Sequence, residues 1–89
     1  MVNSKSVAPG GSANGTSDMD NMPLNKIVWI NTASGSVAHA PSSGAYHVLT
    51  VKPIATHGFQ IALHYAGTVM YIRTFTDSAW GNWRSIALS

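Results

Sequence analysis

The chain has 89 residues with four His, no Cys and no Glu, which leaves room for one small domain and little conventional catalytic machinery. Hydrophobic residues make up 45% of it and charged residues 9%, which excludes charge-driven disorder as well as the Lys/Glu surface of a typical helical domain. The formal net charge of +2 comes from Lys5, Lys26, Lys52, Arg73 and Arg84, spread along the chain rather than gathered into a stripe, so no nucleic-acid partner is expected.

Residues 1–17 are almost entirely Gly, Ser, Asn, Thr and Ala, with Pro9-Gly10-Gly11 and Asn14-Gly15 as breakers; this is the composition of a flexible or extended tether. The first residues, Met-Val-Asn-Ser-Lys-Ser, offer no apolar h-region, and no stretch reaches the roughly 18 apolar residues of a membrane span. Neither a signal peptide nor membrane insertion is expected. From Ser17, the run Ser-Asp-Met-Asp-Asn-Met supplies a cap and early acids for a single helical turn, ended by Pro23.

The remainder reads as strands. Lys26–Ile30 is a short β-prone run, followed by a polar loop over 31–44 that contains Pro41. A second strand is expected over Tyr46–Lys52, ending at Pro53. Over Gly58–Ala66, Phe59, Ile61, Leu63 and Tyr65 alternate with Gln60, Ala62, His64 and Ala66, so the period of two assigns the apolar set to the core. Ala66-Gly67 then turns the chain into Thr68–Phe75, making an antiparallel hairpin. A polar turn at Asp77-Ser78 leads to Trp80-Gly81-Asn82-Trp83-Arg84 and a closing strand over Ser85–Leu88. The two units are therefore a tether, 1–17, and a β-rich domain, 18–89. The latter is near the size at which one core supplies only about 3–5 kcal/mol, so self-association is the expected supplement.

Catalytic and metal chemistry find few residues. The only acids are Asp18, Asp20 and Asp77; the first two suit a helix start and the third a turn, so no carboxylate pair flanks a substrate. No G-x-S-x-G is present. A calcium loop opening at Asp18 would meet Pro23 where its glycine belongs. His39, His47, His57 and His64 lack the spacing of a metal-binding pair. No catalytic residue, metal or cofactor is expected. Trp80 and Trp83 suit either core packing or a platform for sugar rings, and Arg73, on the strand face of Val69, Tyr71 and Phe75, is either partnered inside or placed at an interface.

Gly58-Phe-Gln-Ile-Ala, Gly67, Met70-Tyr-Ile-Arg73 and Trp80-Gly-Asn-Trp-Arg84, in this order and spacing, resemble the knob-type C-terminal domain of bacteriophage and tailocin (pyocin-like) tail fibres. Asp20-Asn21 and Pro41-Ser-Ser-Gly44 are similar to the family's turn before the first strand and its Pro/Gly loop. The resemblance covers about residues 18–89. It implies a small antiparallel, β-sandwich-like knob, all-β apart from the one turn. It also implies a homotrimer, association with the rest of a tail fibre, and a place in a virion tail assembled in the bacterial cytoplasm. The implied function is non-enzymatic binding of a bacterial surface glycan, lipopolysaccharide or capsule. The carbohydrate-binding candidates are Trp80, Arg73, Tyr71, Trp83 and Gln60, with His64 added because it shares a strand face with Gln60. The alternative is a trimerisation or folding cap, with the Trp pair and Tyr71–Arg73 as its seam.

Overall fold

The computed structural model describes residues 8–12, 18–34 and 37–88. Seven strands make up one mixed sheet: β1 (Ala8–Ser12), β2 (Lys26–Asn31), β3 (Ala45–Ile54), β4 (His57–His64), β5 (Val69–Thr76), β6 (Ala79–Trp80) and β7 (Arg84–Ala87). They follow one another across the sheet in chain order as far as β6, while β7 turns back to pair with the first half of β5. Two 3-10 turns, Met19–Asn21 and Thr32–Ser34, accompany them.

The strand positions follow the sequence reading closely. The β4–β5 turn carries Gly67 at φ 70°, and the two-residue turn between β5 and β6 holds Asp77 and Ser78 at φ 51° and 65°, the left-handed pair that matches the twist of a tight hairpin. Asp18 caps the first 3-10 turn by accepting a hydrogen bond from the Asp20 amide at 2.9 Å. β3 runs through Pro53 to Ile54, because a register shift between Val51 and Ile54 relaxes the ladder where proline lacks a donor.

Three expectations are corrected. Ala8–Ser12, inside the expected tether, is a strand and pairs in parallel with β2, so the sheet is mixed rather than wholly antiparallel. Whatever else is expected of residues 1–7 and 13–17 lies outside the described residues. The third correction is the orientation of β4. Gln60 and Ala62 are the fully buried residues of that strand, whereas Phe59, Ile61 and Leu63 are half-buried and Tyr65 is 62% exposed. Periodicity separates two faces but does not say which one the rest of the chain covers.

What covers the Gln60 face is the connection into β2 together with the loop after it. The core consists of Met19 and Met22 from the first, Val37 from the second, and Val28, Ile30, Tyr46, Val48 and Ala62 from the sheet, with Ala40, Tyr71 and Trp83 packed against them. The cross-strand pairs Val28–Val48, Ile30–Tyr46 and Val48–Ala62 bring these side chains together on one face. The neck of the loop is clamped by Thr32, whose amide donates to the Gly44 carbonyl at 2.9 Å while its Oγ1 accepts from the Gly44 amide at 2.7 Å.

Candidate functional site

The six candidate residues all project from the core side of the sheet or its edge, and they fall into two groups. Gln60, Arg73, Trp80 and Trp83 form one. Gln60 and Arg73 face each other across β4 and β5, and Arg73 Nε donates to Gln60 Oε1 at 2.8 Å. Gln60 Nε2 uses both protons, donating to the Met19 carbonyl and to Thr50 Oγ1, each at 2.8 Å. A side chain with no exposed surface therefore ties three strands to the 3-10 turn, satisfying polar groups that would be costly to bury alone.

The Arg73 guanidinium lies over two indole rings, 4.4 Å from Trp80 and 4.6 Å from Trp83, a double cation–π contact. Its Nη2 meets Asp20 Oδ1 at 2.9 Å as an ion pair that hydrogen-bond angles leave off line. Burial pushes the Arg73 pKa down while Asp20 pulls it up; an arginine nevertheless keeps its proton throughout the physiological range. Arg73 is thus partnered inside the chain. Lys52 Nζ extends the cationic stack, 3.9 Å from the Phe75 ring.

Around this stack the loop is latched to the first 3-10 turn. His39 Nδ1 lies 2.7 Å from Asp18 Oδ1 and 3.4 Å from Asp20 Oδ2, and Trp83 Nε1 donates to the His39 carbonyl at 2.8 Å. Asp18 has its pKa lowered by the Asp20 amide hydrogen bond and then by His39, while His39 has its pKa raised, first by the hydrogen bond to Asp18. Asp18, Asp20 and His39 offer ligand atoms within 4.8 Å of one another, but the Arg73 guanidinium already neutralises Asp20, an arrangement that favours an ion-pair network over a cation.

Tyr71 and His64 form the second group around Tyr46, with ring centroids 5.8 and 5.6 Å away, both edge-on. Ser42 hydrogen-bonds the Tyr46 hydroxyl and lies 3.3 Å from that of Tyr71. This cluster holds the 41–44 loop against β3 and β5. The sequence reading missed Asp20, Thr50 and Met19 as partners of the stack, and His39 and Ser42 beside it. Only the odd placement of Arg73 on a strand face signalled that a partner was needed.

Beside the Trp80–Trp83 segment, where β6 leaves the edge of β5 and β7 has yet to join it, a cleft of about 450 Å³ opens. Ile72, Arg73, Thr74, Gly81, Asn82 and Arg84 line it. Thr74, Asn82 and Arg84 are exposed. The acids have other neighbours: besides Asp18 and Asp20, Asp77 lies 3.6 Å from His57, and none lines this cleft.

No protein-family model matches the chain, and no curated protein matches its sequence. Among solved structures it is similar to an N-truncated R2-type pyocin tail fibre, with a TM-score of 0.77 and 22% sequence identity. The match covers 97% of this chain and 35% of that one, so the chain spans about a third of the length of the structure it matches. The likeness establishes a shared all-β fold with a domain of a pyocin tail fibre, as the sequence motifs imply.

Proposed function

We propose that the chain is a tail-fibre tip domain that binds a bacterial surface glycan non-enzymatically, as a homotrimer whose three copies compensate for weak single sites. The observation that carries this reading is the open cleft at the β5 edge. It lies beside the segment joining two half-buried indoles and is lined by Thr74, Asn82 and Arg84 among others, exposed hydrogen-bonding groups of the kind that engage sugar hydroxyls. Gln60 and Arg73 are 0% and 4% exposed; in this reading they position Trp80 and Trp83, and of the two only Arg73 borders the cleft. Tyr71 and His64 set the neighbouring loop. Non-enzymatic action fits a cleft that lacks a carboxylate pair.

The test is binding to whole bacterial cells and to a panel of purified lipopolysaccharides and capsules, with Asn82→Ala and Arg84→Ala as variants of the cleft lining and Trp80→Ala as the variant of the stack beside it. All three are expected to weaken binding while far-ultraviolet circular dichroism stays native. A chain that binds no member of the panel, or whose three variants bind like the parent, favours the alternative of a structural cap.

A further inference from the structure

The loop over 32–44 is folded back against the core, where Val37 and Ala40 pack, and His39 is the residue that ties it down. Thr32 and Gly44 clamp the neck of the loop, and nearer its tip the Met19 amide donates to the Ala38 carbonyl at 2.9 Å. The next residue, His39, holds φ at 61°, a left-handed backbone that a residue with a side chain keeps only where its surroundings hold it there. Three contacts do so. The ring Nδ1 lies 2.7 Å from Asp18 Oδ1 and 3.4 Å from Asp20 Oδ2, and the His39 carbonyl accepts from Trp83 Nε1 at 2.8 Å. One residue thus joins the first 3-10 turn, through its ring, to the segment between β6 and β7, through its backbone.

We propose that His39 is a positioning residue for the cleft at the β5 edge, and that its protonation sets how firmly the Trp83 segment is held. The inference rests on the glycan reading only for its effect on binding; the coupling of His39 to Trp83 stands on the geometry alone. Asn82 and Arg84 flank Trp83 in the chain and line the cleft, so the indole that bonds the His39 carbonyl anchors that wall. A second route runs through Asp20, whose Oδ2 faces His39 while its Oδ1 pairs with Arg73 Nη2 at 2.9 Å. Arg73 in turn lies 4.6 Å from the Trp83 ring and borders the cleft. Both routes end on the same wall, a continuous chain of contacts from a titratable ring to the site.

The charges around His39 set the direction. Asp18 and Asp20 of the 3-10 turn favour the protonated ring and Arg73 of β5 opposes it, while neither the rest of the loop, 32–44, nor the segment 81–83 carries a titratable side chain. The balance raises the His39 pKa, with the hydrogen bond to Asp18 as the largest cause. A protonated ring makes a charge-assisted bond to Asp18 and attracts Asp20; a neutral ring keeps at most one ordinary hydrogen bond. As pH rises through the His39 pKa, the ring contact weakens and the left-handed backbone loses part of its support. The carbonyl is then freer to turn away from Trp83, so the wall is firmest between the Asp18 and His39 titrations.

Exchange of the Trp83 indole proton with water, followed by nuclear magnetic resonance on the full chain, tests the coupling, because that proton is the one donated to His39. Between pH 6 and pH 8 the exchange is expected to accelerate about threefold more in the parent than in His39→Gln, the size of effect that a part-exposed ion pair supports. Asp18→Asn is expected to remove the same excess. If either variant fails to fold, the parent alone decides: the Trp83 indole signal is expected to shift with the midpoint of the His39 ring signals. An identical pH course in the parent and His39→Gln, or a Trp83 signal that ignores the His39 titration, overturns the proposal. Glycan binding is then compared at the two pH values, where the parent is expected to bind more weakly at pH 8 by a similar factor and His39→Gln equally at both. Parent binding that is the same at both overturns the positioning role. A Trp83 that follows His39 in a chain that binds no glycan removes only the receptor reading, and a glycan-binding chain whose Trp83 is indifferent to His39 removes only this one.

Discussion

Gln60→Ala separates a structural role for this side chain from a role in ligand contact. Gln60 makes three hydrogen bonds of 2.8 Å from a position with no exposed surface. Two of its partners, the Met19 carbonyl and the Thr50 hydroxyl, are neutral, and each bond contributes about 1 kcal/mol; the bond from Arg73 Nε contributes about 1.5–3 kcal/mol because its donor is charged. Truncation leaves these partners buried without a mate, so the expected loss is roughly 4 kcal/mol. A domain of this length has about 4–13 kcal/mol in total, and at about 1 kcal/mol/M in urea the unfolding midpoint drops by roughly 4 M, enough to leave a marginal domain unfolded. Indole fluorescence follows the transition, since Trp80 and Trp83 stack on Arg73. Protein concentration is held fixed because association adds to apparent stability. Gln60→Met keeps the volume and isolates the polar contribution. A loss below about 1 kcal/mol in both variants refutes the network argument, and unchanged stability with lost cell binding makes Gln60 a ligand contact after all.

Four further perturbations follow from local geometry. A Cβ on Gly58 would lie 2.2 Å from the Val51 carbonyl oxygen, so Gly58→Ala forces β3 and β4 apart and is expected to cost more than about 2 kcal/mol in urea unfolding. Gly67→Ala meets no atom but must hold φ at 70°, and is expected to cost about 1 kcal/mol. The His39–Asp18 latch gives a pH optimum. His39 has its pKa raised above 6.5, so its contribution is full below that value and fades as pH rises through the folded pKa; Asp18 has its pKa lowered below 3.8, so its contribution is full above that value and fades as pH falls through the folded pKa. Stability attributable to the latch therefore peaks between the two, and His39→Gln is expected to flatten the rise in melting temperature from pH 8 to pH 6. Trp83→Phe keeps an aromatic ring near Arg73 but removes the donor to the His39 carbonyl, with an expected loss of about 1 kcal/mol.

The strands were legible because their signals are local: alternation in β4, glycine in the turn to β5, a polar pair before β6. The inward face was not. Thr50 and Gln60 look like solvent-facing positions until register sets them beside Arg73, and the last partners of this network, Met19 and Asp20, are 41 and 53 residues from Gln60 and Arg73 along the chain. Hydrophobic alternation is blind to such a polar network, which satisfies itself only in the assembled fold. β1 escaped for a different reason. Its Pro-Gly-Gly run is poor strand material, and the strand exists at the sheet edge, where one partner suffices. At the site, the aromatic residues announced themselves by type, while the cleft beside them depends on β6 ending after two residues.

The parallel pairing of β1 with β2 has a kinetic consequence. Two parallel neighbours require a connection that travels back along the sheet, and here the segment leading into β2, residues 18–25, carries Met19 and Met22 onto the core. The hairpins from β3 to β5 join strands adjacent in the chain through short turns, whereas the segment leading into β2 has nothing to lie on until the sheet exists. On a ribosome the portion translated first thus waits for the portion translated later, and the core stays wet until β4 and the Gln60 carboxamide have emerged to receive the Met19 carbonyl.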